Sequence, residues 1–315
     1  MTTLTRPEID DVDRALIAGL VENGRATYAA LAPQVGLSQA AVRTRVQRLF
    51  EEHVITVTGR VDPSSLGLGV FTFAFLELSG QVDKFAAAVA DIDAAVFIVI
   101  TTGRFDLMVE LRCTNHDHLL DSLDRLRELE GVRRLQTATA LHYDKQDWTG
   151  VGRRDAVPSI QPSPASTREL DATDRRLLLE LMSDGRASYA TLAPLVELSQ
   201  AAVRDRVLDM LADGIVSIQA HPVPEAMGIG GFAALAIKAT GPVEPLVASL
   251  VDVPETCLVA RTLGRFDATI EVWFEDHDHL ADIVDRVRAL SGAGSVDTIP
   301  YLRITHEAFE AGLTR

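Results

Sequence analysis

Cysteine is nearly missing: Cys113 and Cys257 are the only two in 315 residues. Two isolated thiols make no disulfide framework, and a reducing cytosol is the expected setting. Basic residues are outnumbered, with 30 Lys and Arg against 45 Asp and Glu and a formal net charge of −15. That balance argues against a general polyanion binder, whose phosphate contacts come from Lys and Arg, although it leaves room for a local basic face. No apolar run approaches a membrane span, and Val96 to Ile100 is short and strand-like. The opening MTTLTRPEIDDVD has no basic start followed by an apolar core, so no secretory signal is expected and the cytoplasm is the expected location. A nucleophile elbow, a phosphate loop and an HExxH motif are also missing. No catalytic residue, cofactor or metal is therefore assigned.

What is present is repetition. The segment from Ile9 to Ile55 recurs from Leu170 to Val216, an offset of 161 residues with 23 of 47 aligned positions identical. The offset holds onward without a net insertion. Gly103-Arg104-Phe105-Asp106 returns as Gly264-Arg265-Phe266-Asp267, and His116-Asp117-His118 as His277-Asp278-His279. A repeat this long is domain-sized, well beyond a solenoid period.

Each copy divides into a helical head and a mixed body. In the first head Val12, Leu16 and Leu20 recur with a helical period after an acidic start, and Gly24 ends that helix. Thr27 is placed to cap a second helix carrying Leu31 and Val35. The turn Gly36-Leu37-Ser38 precedes a third, whose stripe is Val42, Val46 and Leu49. Three short helices with a glycine turn before the last form a helix-turn-helix signature. The body reads strand (Val70 to Ser79), helix (Val82 to Asp91), strands (Ala94 to Thr101 and Phe105 to Arg112), helix (His116 to Leu129) and strand (Val132 to His142). The order βαββαβ predicts a ferredoxin-like unit with one bare sheet face, which tends to bury itself against another body. The class is α+β, a tandem repeat of head and body. Expected domains are 1–60 and 61–146, a Pro- and Ser-rich linker at 147–167, then 168–220 and 221–310.

The strings D-x-x-D-R, D-G-R-A-S-Y-A-T-L-A and L-S-Q-A-A-V-R-x-R-V, with G-R-F-D at the middle hairpin of the body, resemble the Lrp/AsnC (feast/famine) transcription regulators. The resemblance covers nearly all of both copies. It departs in the fusion, since that family mostly carries one unit per chain. It implies a DNA-binding head and a body that senses a small effector, often an amino acid, and assembles subunits.

A helix-turn-helix lays its last helix in the major groove. Ser38, Gln39, Arg43 and Gln47 are the candidates for base edges, where Gln suits adenine and Arg guanine. Arg45 and Arg48 are placed for phosphates. In the second copy Ser199, Gln200, Arg204 and Arg206 persist, but Thr44 becomes Asp205 and Arg48 becomes Asp209. That change predicts weaker DNA binding, or a different half-site, for the second head. The other reading of these arginines is a solvated face, or pairing with Glu51 and Glu52.

In the bodies the resemblance points to Thr102, Gly103 and Asp106 as effector residues, matched by Gly264 and Asp267. Thr102 has become Leu263, so the two pockets are expected to differ. Either aspartate can accept from an ammonium group. A purely structural turn, with Gly103 supplying positive φ, is the other reading of this loop. The repeated His-Asp-His places its histidines at i and i+2, on different helix faces, and Asn115 or Asp117 can cap that helix.

The expected protein is a cytoplasmic regulator that binds double-stranded DNA and a small molecule, which the resemblance implies is an amino acid. It is expected to be a homo-oligomer whose two bodies pair within a chain as a pseudo-dimer. Two alternatives stay open. Some proteins of this plan act as sirohaem decarboxylases, sometimes as fused pairs. Their heads end in an Arg-Arg-containing stretch, where this chain has Ile55 to Arg60 (ITVTGR) and Val216 to Gln219 (VSIQ). The other alternative is a sensor module without DNA binding.

Overall fold

The computed structural model describes residues 9–147 and 168–308. The linker expected at 147–167 lies outside the described residues, apart from Asp147. That residue is buried, and its N–H donates to the Cys257 carbonyl at 2.7 Å.

The first copy runs α1 (Asp11–Glu22), α2 (Tyr28–Val35), α3 (Gln39–Glu51), β1 (Ile55–Val61), β2 (Val70–Leu78), α4 (Val82–Ala90), β3 (Ala95–Thr101), β4 (Leu107–Cys113), α5 (His116–Glu128) and β5 (Val132–Gln146). The second runs α6 (Ala172–Ser183), α7 (Tyr189–Leu192), α8 (Gln200–Ala212), β6 (Val216–Pro222), α9 (Pro224–Met227), β7 (Gly231–Ala239), α10 (Val243–Val251), β8 (Thr256–Gly264), β9 (Ala268–Phe274), α11 (His277–Arg288) and β10 (Ala293–Glu307). The domains expected along the chain regroup in space. Both heads fold into one compact unit, and both bodies into another.

In the head unit, α1 starts at a capping box. Asp10 accepts from the Asp13 N–H at 2.8 Å, and the Asp13 carboxylate takes the Asp10 N–H in return. Asp171 and Asp174 repeat the box on α6. Helix α3 buries Val42, Val46 and Leu49 completely, packing on α1 and α2. The i, i+4, i+7 spacing of that stripe commits one face of α3 inward and leaves the opposite face exposed. After each head the chain extends, and β1 pairs antiparallel with β6 from Ile55↔Pro222 to Val61↔Val216.

In the body unit, each copy forms a four-stranded sheet in the split βαββαβ arrangement. The order is β5-β2-β4-β3 in one copy and β10-β7-β9-β8 in the other. Helices α4 and α5 cover the outer face of the first sheet, with Leu126 of α5 in one cluster with Leu76, Ile98 and Val109. Helices α10 and α11 do the same for the second, with Ile283 of α11 in one cluster with Leu235, Val259 and Ile270. The bare inner faces meet. Ladders β5–β8 and β10–β3 join the sheets edge to edge and close the eight strands into a barrel. The expected pairing of bodies within one chain is thus present, and it leaves no free edge on either sheet.

The barrel interior is unequal across its repeat. The first copy fills it with Phe73, Phe75, Phe97 and Val99. The corresponding residues of the second are Ala234, Ala236, Leu258 and Ala260. Large side chains on one wall face smaller ones on the other, the arrangement that fills a core without voids. Both cysteines are buried, and neither forms a disulfide among the described residues. No helix among the described residues is long and apolar enough to cross a membrane.

Candidate DNA interface and effector loops

Ser38 caps α3, its hydroxyl accepting from the Ala41 N–H at 3.2 Å. Ser199 caps α8 the same way through the Ala202 N–H. The outward face of α3 then presents Gln39, Arg43, Thr44 and Gln47, all exposed. No acid stands among them. The matching face of α8 presents Gln200, Arg204, Asp205, Leu208 and Asp209. There Arg204 lies 4.0 Å from Asp205, and an exposed leucine replaces Gln47. One face is a cationic hydrogen-bonding surface. The other carries two carboxylates and an apolar side chain.

Arg45 and Arg48, expected to suit phosphates, and Arg206, expected to contact DNA, all stand in intramolecular ion pairs. These side chains turn to the acidic starts of α1 and α6. Arg45 meets Asp10 at 2.7 Å and Asp13 at 2.9 Å, and Asp13 is 1% exposed. Arg48 pairs with Asp13 and with Glu52, the latter at 3.3 Å. Hydrogen bonding to Asp10 and Asp13 raises the Arg45 guanidinium above its ordinary value. The Asp13 N–H, joined by Arg45, holds the Asp10 carboxyl below its own. Arg206 repeats the arrangement with Asp171 at 2.7 Å and Asp174 at 2.8 Å. Arg48 has become Asp209 in the second copy, so its place is taken by Arg168, 3.3 Å from Asp174 and 3.6 Å from Asp213. A buried carboxylate needs its cation, and periodicity alone does not show where that cation comes from.

The Gly-Arg-Ala-x-Tyr strings hold a role that spacing did not show. Arg25 donates to the carbonyls of Gly185 at 2.7 Å and Ala187 at 2.8 Å. Arg186 returns the bonds to Gly24 at 2.6 Å and Ala26 at 3.2 Å. Each guanidinium also lies over the other head's tyrosine, Arg25 on Tyr189 at 4.8 Å and Arg186 on Tyr28 at 5.6 Å. Gly24 and Gly185 let the loops approach, since a Cβ on Gly24 would stand 2.8 Å from Val57 and 2.9 Å from the Ile218 carbonyl. The only signal in the sequence was that both copies keep the string. The reciprocal contact is set by the fold, which brings residues about 160 apart in sequence together.

In the bodies, Thr102 and Gly103 are exposed at the tip of the β3–β4 turn, with Gly103 at φ +98°. Asp106 faces elsewhere. Its carboxylate accepts from the Leu78 N–H at 2.7 Å, and its own N–H donates to the Leu76 carbonyl at 2.9 Å. Asp267 does the same with the Ala239 N–H at 2.9 Å, and its second oxygen meets Lys238 at 2.8 Å. Burial pushes the Asp267 carboxyl up, but Lys238 and the Ala239 N–H outweigh it, so the group sits below its ordinary value. Each aspartate thus ties its hairpin to the neighbouring strand. Gly264, at φ +135°, lies so close to β5 that a Cβ would stand 2.4 Å from the Thr137 carbonyl. Leu263 is 67% exposed where the first copy has Thr102. The His-Asp-His repeats begin helices capped by Asn115 and Asp276. His118 and His279 accept backbone N–H groups through Nδ1, from Thr114 at 3.3 Å and Glu275 at 3.2 Å.

Comparison with known proteins agrees with this division. Residues 9–49 and 170–211 match the AsnC-type helix-turn-helix domain. Residues 72–147 and 234–309 match the Lrp/AsnC ligand binding domain. The HTH-type transcriptional regulator FL11 of Pyrococcus furiosus is 28% identical over 140 residues, covering 44% of this chain and 93% of that protein. The HTH-type transcriptional regulator Rv2324 of Mycobacterium tuberculosis is 32% identical over 136 residues, covering 42% and 92%. Over the whole chain, the crystal structure of the siroheme decarboxylase NirDL with an iron-uroporphyrin III analogue superposes with a TM-score of 0.67, covering 95% of both chains at 11% identity. At that identity the likeness is one of fold, the tandem plan shared by both chains.

Proposed function

Because the chain belongs to the Lrp/AsnC family of transcription regulators, carrying both its domains twice, we propose that it reads DNA chiefly through α3 and that an amino acid bound by the bodies changes its DNA affinity. The observation behind the first part is the exposed face of α3, where Gln39, Arg43 and Gln47 recur every four residues with no carboxylate between them. Such side chains suit adenine and guanine edges, each good pair discriminating by about 1–3 kcal/mol. The face of α8, with Asp205 and Asp209, repels phosphate and makes the second head the weaker reader. An operator with two unlike halves follows. Behind the second part is the family's ligand-binding domain, present in both bodies.

The test is fluorescence anisotropy of the full chain on its own upstream DNA, across a salt series, with and without each amino acid. Binding should weaken steeply with salt and shift with one amino acid. Arg43→Ala should lower operator affinity about tenfold, and Arg204→Ala by much less. Equal losses would overturn the asymmetry, and no binding to this DNA or a genomic fragment pool would overturn the regulator. The reading assigns no catalysis to the chain. Sirohaem added to the protein should leave its absorption spectrum unshifted, and a shifted spectrum with release of carbon dioxide would replace regulator by enzyme.

A further inference from the structure

Helices α3 and α8 open with the same residues, Gln-Ala-Ala-Val-Arg, and then part company. The inward stripe keeps its kind: α8 buries Val203, Val207 and Met210 where α3 buries Val42, Val46 and Leu49. Outward, Thr44 becomes Asp205, Gln47 becomes Leu208 and Arg48 becomes Asp209. One of these changes has a cause inside the head. Arg48 is held by Asp13 in the first copy, while Arg168 supplies that cation in the second, 3.3 Å from Asp174. Position 209 is thereby released from the pairing, and an exposed aspartate occupies it.

Leu208 has no such cause. It is 42% exposed, and Val203, Val207 and Met210 already fill the inward face of α8. Gln200, Arg204 and Leu208 are spaced four apart, so they lie along one side of the helix, the side that Gln39, Arg43 and Gln47 form on α3. Single exposed leucines are common on protein surfaces. This one stands in line with two groove-reading residue types, on the last helix of a helix-turn-helix.

The major groove offers one apolar feature, the C5-methyl group of thymine. Glutamine pairs with adenine through two hydrogen bonds. Leucine can make neither, and it packs on a methyl group instead. Asp205 and Asp209 repel phosphates, whose contacts strengthen binding without regard to sequence. What α8 contributes must therefore come from base edges, from Gln200 and Arg204 and from the apolar side chain between the carboxylates.

Resting on the DNA reading above, we propose that Leu208 is a specificity residue of the second head. It packs against the methyl group of a thymine in the half-site under α8, at the place where Gln47 takes an adenine under α3. The two halves of the operator then differ by a defined base as well as by strength. An apolar contact releases no counterions, so this discrimination holds at every salt concentration while the overall affinity falls.

The test uses duplexes selected from a random pool by the full chain. Sequencing should return two unlike halves, and the half that loses definition with Arg43→Ala belongs to α3. In the other half, thymines are replaced one at a time by deoxyuridine, which removes only the methyl group. At one position wild-type affinity should fall about fourfold, the worth of one buried methyl group, and by the same factor across a salt series. Leu208→Ala should abolish that difference, and Leu208→Gln should turn the selected base from thymine to adenine. Leu208 is exposed, and unchanged circular dichroism and melting temperature would confirm folding of both variants. The deoxyuridine measurement itself needs only the wild-type protein. Deoxyuridine without effect anywhere in that half, an effect that Leu208→Ala leaves intact, or two identical halves would overturn the role of Leu208 and leave the regulator standing. Failure to select any duplex would overturn both.

Discussion

Arg43 and Arg45 stand two residues apart on α3 and do unrelated things, because a helix turns about 100° per residue. Arg43 is exposed, while Arg45 reaches the buried Asp13. Arg45→Ala should therefore reduce stability, by about 1–3 kcal/mol in urea unfolding, by leaving part of a buried ionic cluster unpaired and partly screened by solvent. Operator affinity, corrected for the folded fraction, should change less than in Arg43→Ala. A larger affinity loss than for Arg43→Ala would return Arg45 to the DNA surface. Glu255 supplies a pH prediction. Burial pushes its carboxyl up, but the His279 ring at 3.1 Å and the Arg286 guanidinium, paired with it at 2.8 Å, more than offset this and leave it below the ordinary value of 4.5. A carboxyl lowered in the folded state stabilises fully above that ordinary value and loses its contribution as pH falls through the folded one. Melting temperature should thus drop on acidification, and Glu255→Gln should flatten that drop while lowering stability near neutrality. An acid limb of unchanged slope in the variant would assign the effect elsewhere. The first body has Ala94 at the corresponding position, so the effect belongs to the second.

At the scale of elements, the two heads share a plan but divide their glycines. The turn after α2 is left-handed at Gly36, φ +66°, and the second copy puts Glu197 there at φ +55°. The turn before β1 is left-handed at His53, φ +52°, where the second copy has Gly214 at φ +70°. A side chain in this region costs about 1–2 kcal/mol, partly offset by glycine's greater freedom when unfolded. Glu197→Gly should stabilise the protein by roughly 0.5–1 kcal/mol, read as a higher urea midpoint at unchanged slope. Destabilisation would show that the Glu197 side chain contributes more than its backbone strain removes. The three helices of each head and the βαββαβ order of the body were legible from sequence, whereas strands β1 and β6 were not among the expected elements. Ser38 and Thr27 cap as their types suggest, and Val42, Val46 and Leu49 form the buried stripe. Periodicity and capping are local, so one chain segment contains the whole signal.

At the scale of the molecule, duplication has been followed by divergence of the surfaces that meet. Phe75 and Ala236 occupy the same place in the two copies, and both line the barrel. Ala236→Phe should overfill the interior and cost about 1–3 kcal/mol, measured by urea unfolding monitored by circular dichroism. A neutral outcome would mean that the interior has room for a second large ring. Pairing unlike walls also favours the in-chain barrel over one built from two identical bodies, which would set phenylalanine against phenylalanine or alanine against alanine.

The sequence by itself determined the repeat, the α+β plan, the last helix of each helix-turn-helix and the divergence of its second copy, because each rests on residues near one another along the chain. It showed that a bare sheet face needed a partner, and the offset of 161 residues supplied one. Only the tertiary structure decided what the charges do. Arg45 and Arg206 close onto helix starts 32 residues before them, Arg25 and Arg186 cross between heads, and Arg104 and Arg265 meet at Asp297. A long guanidinium side chain can satisfy any carboxylate or carbonyl that the fold brings within reach, and that reach is set by packing rather than by position in the sequence.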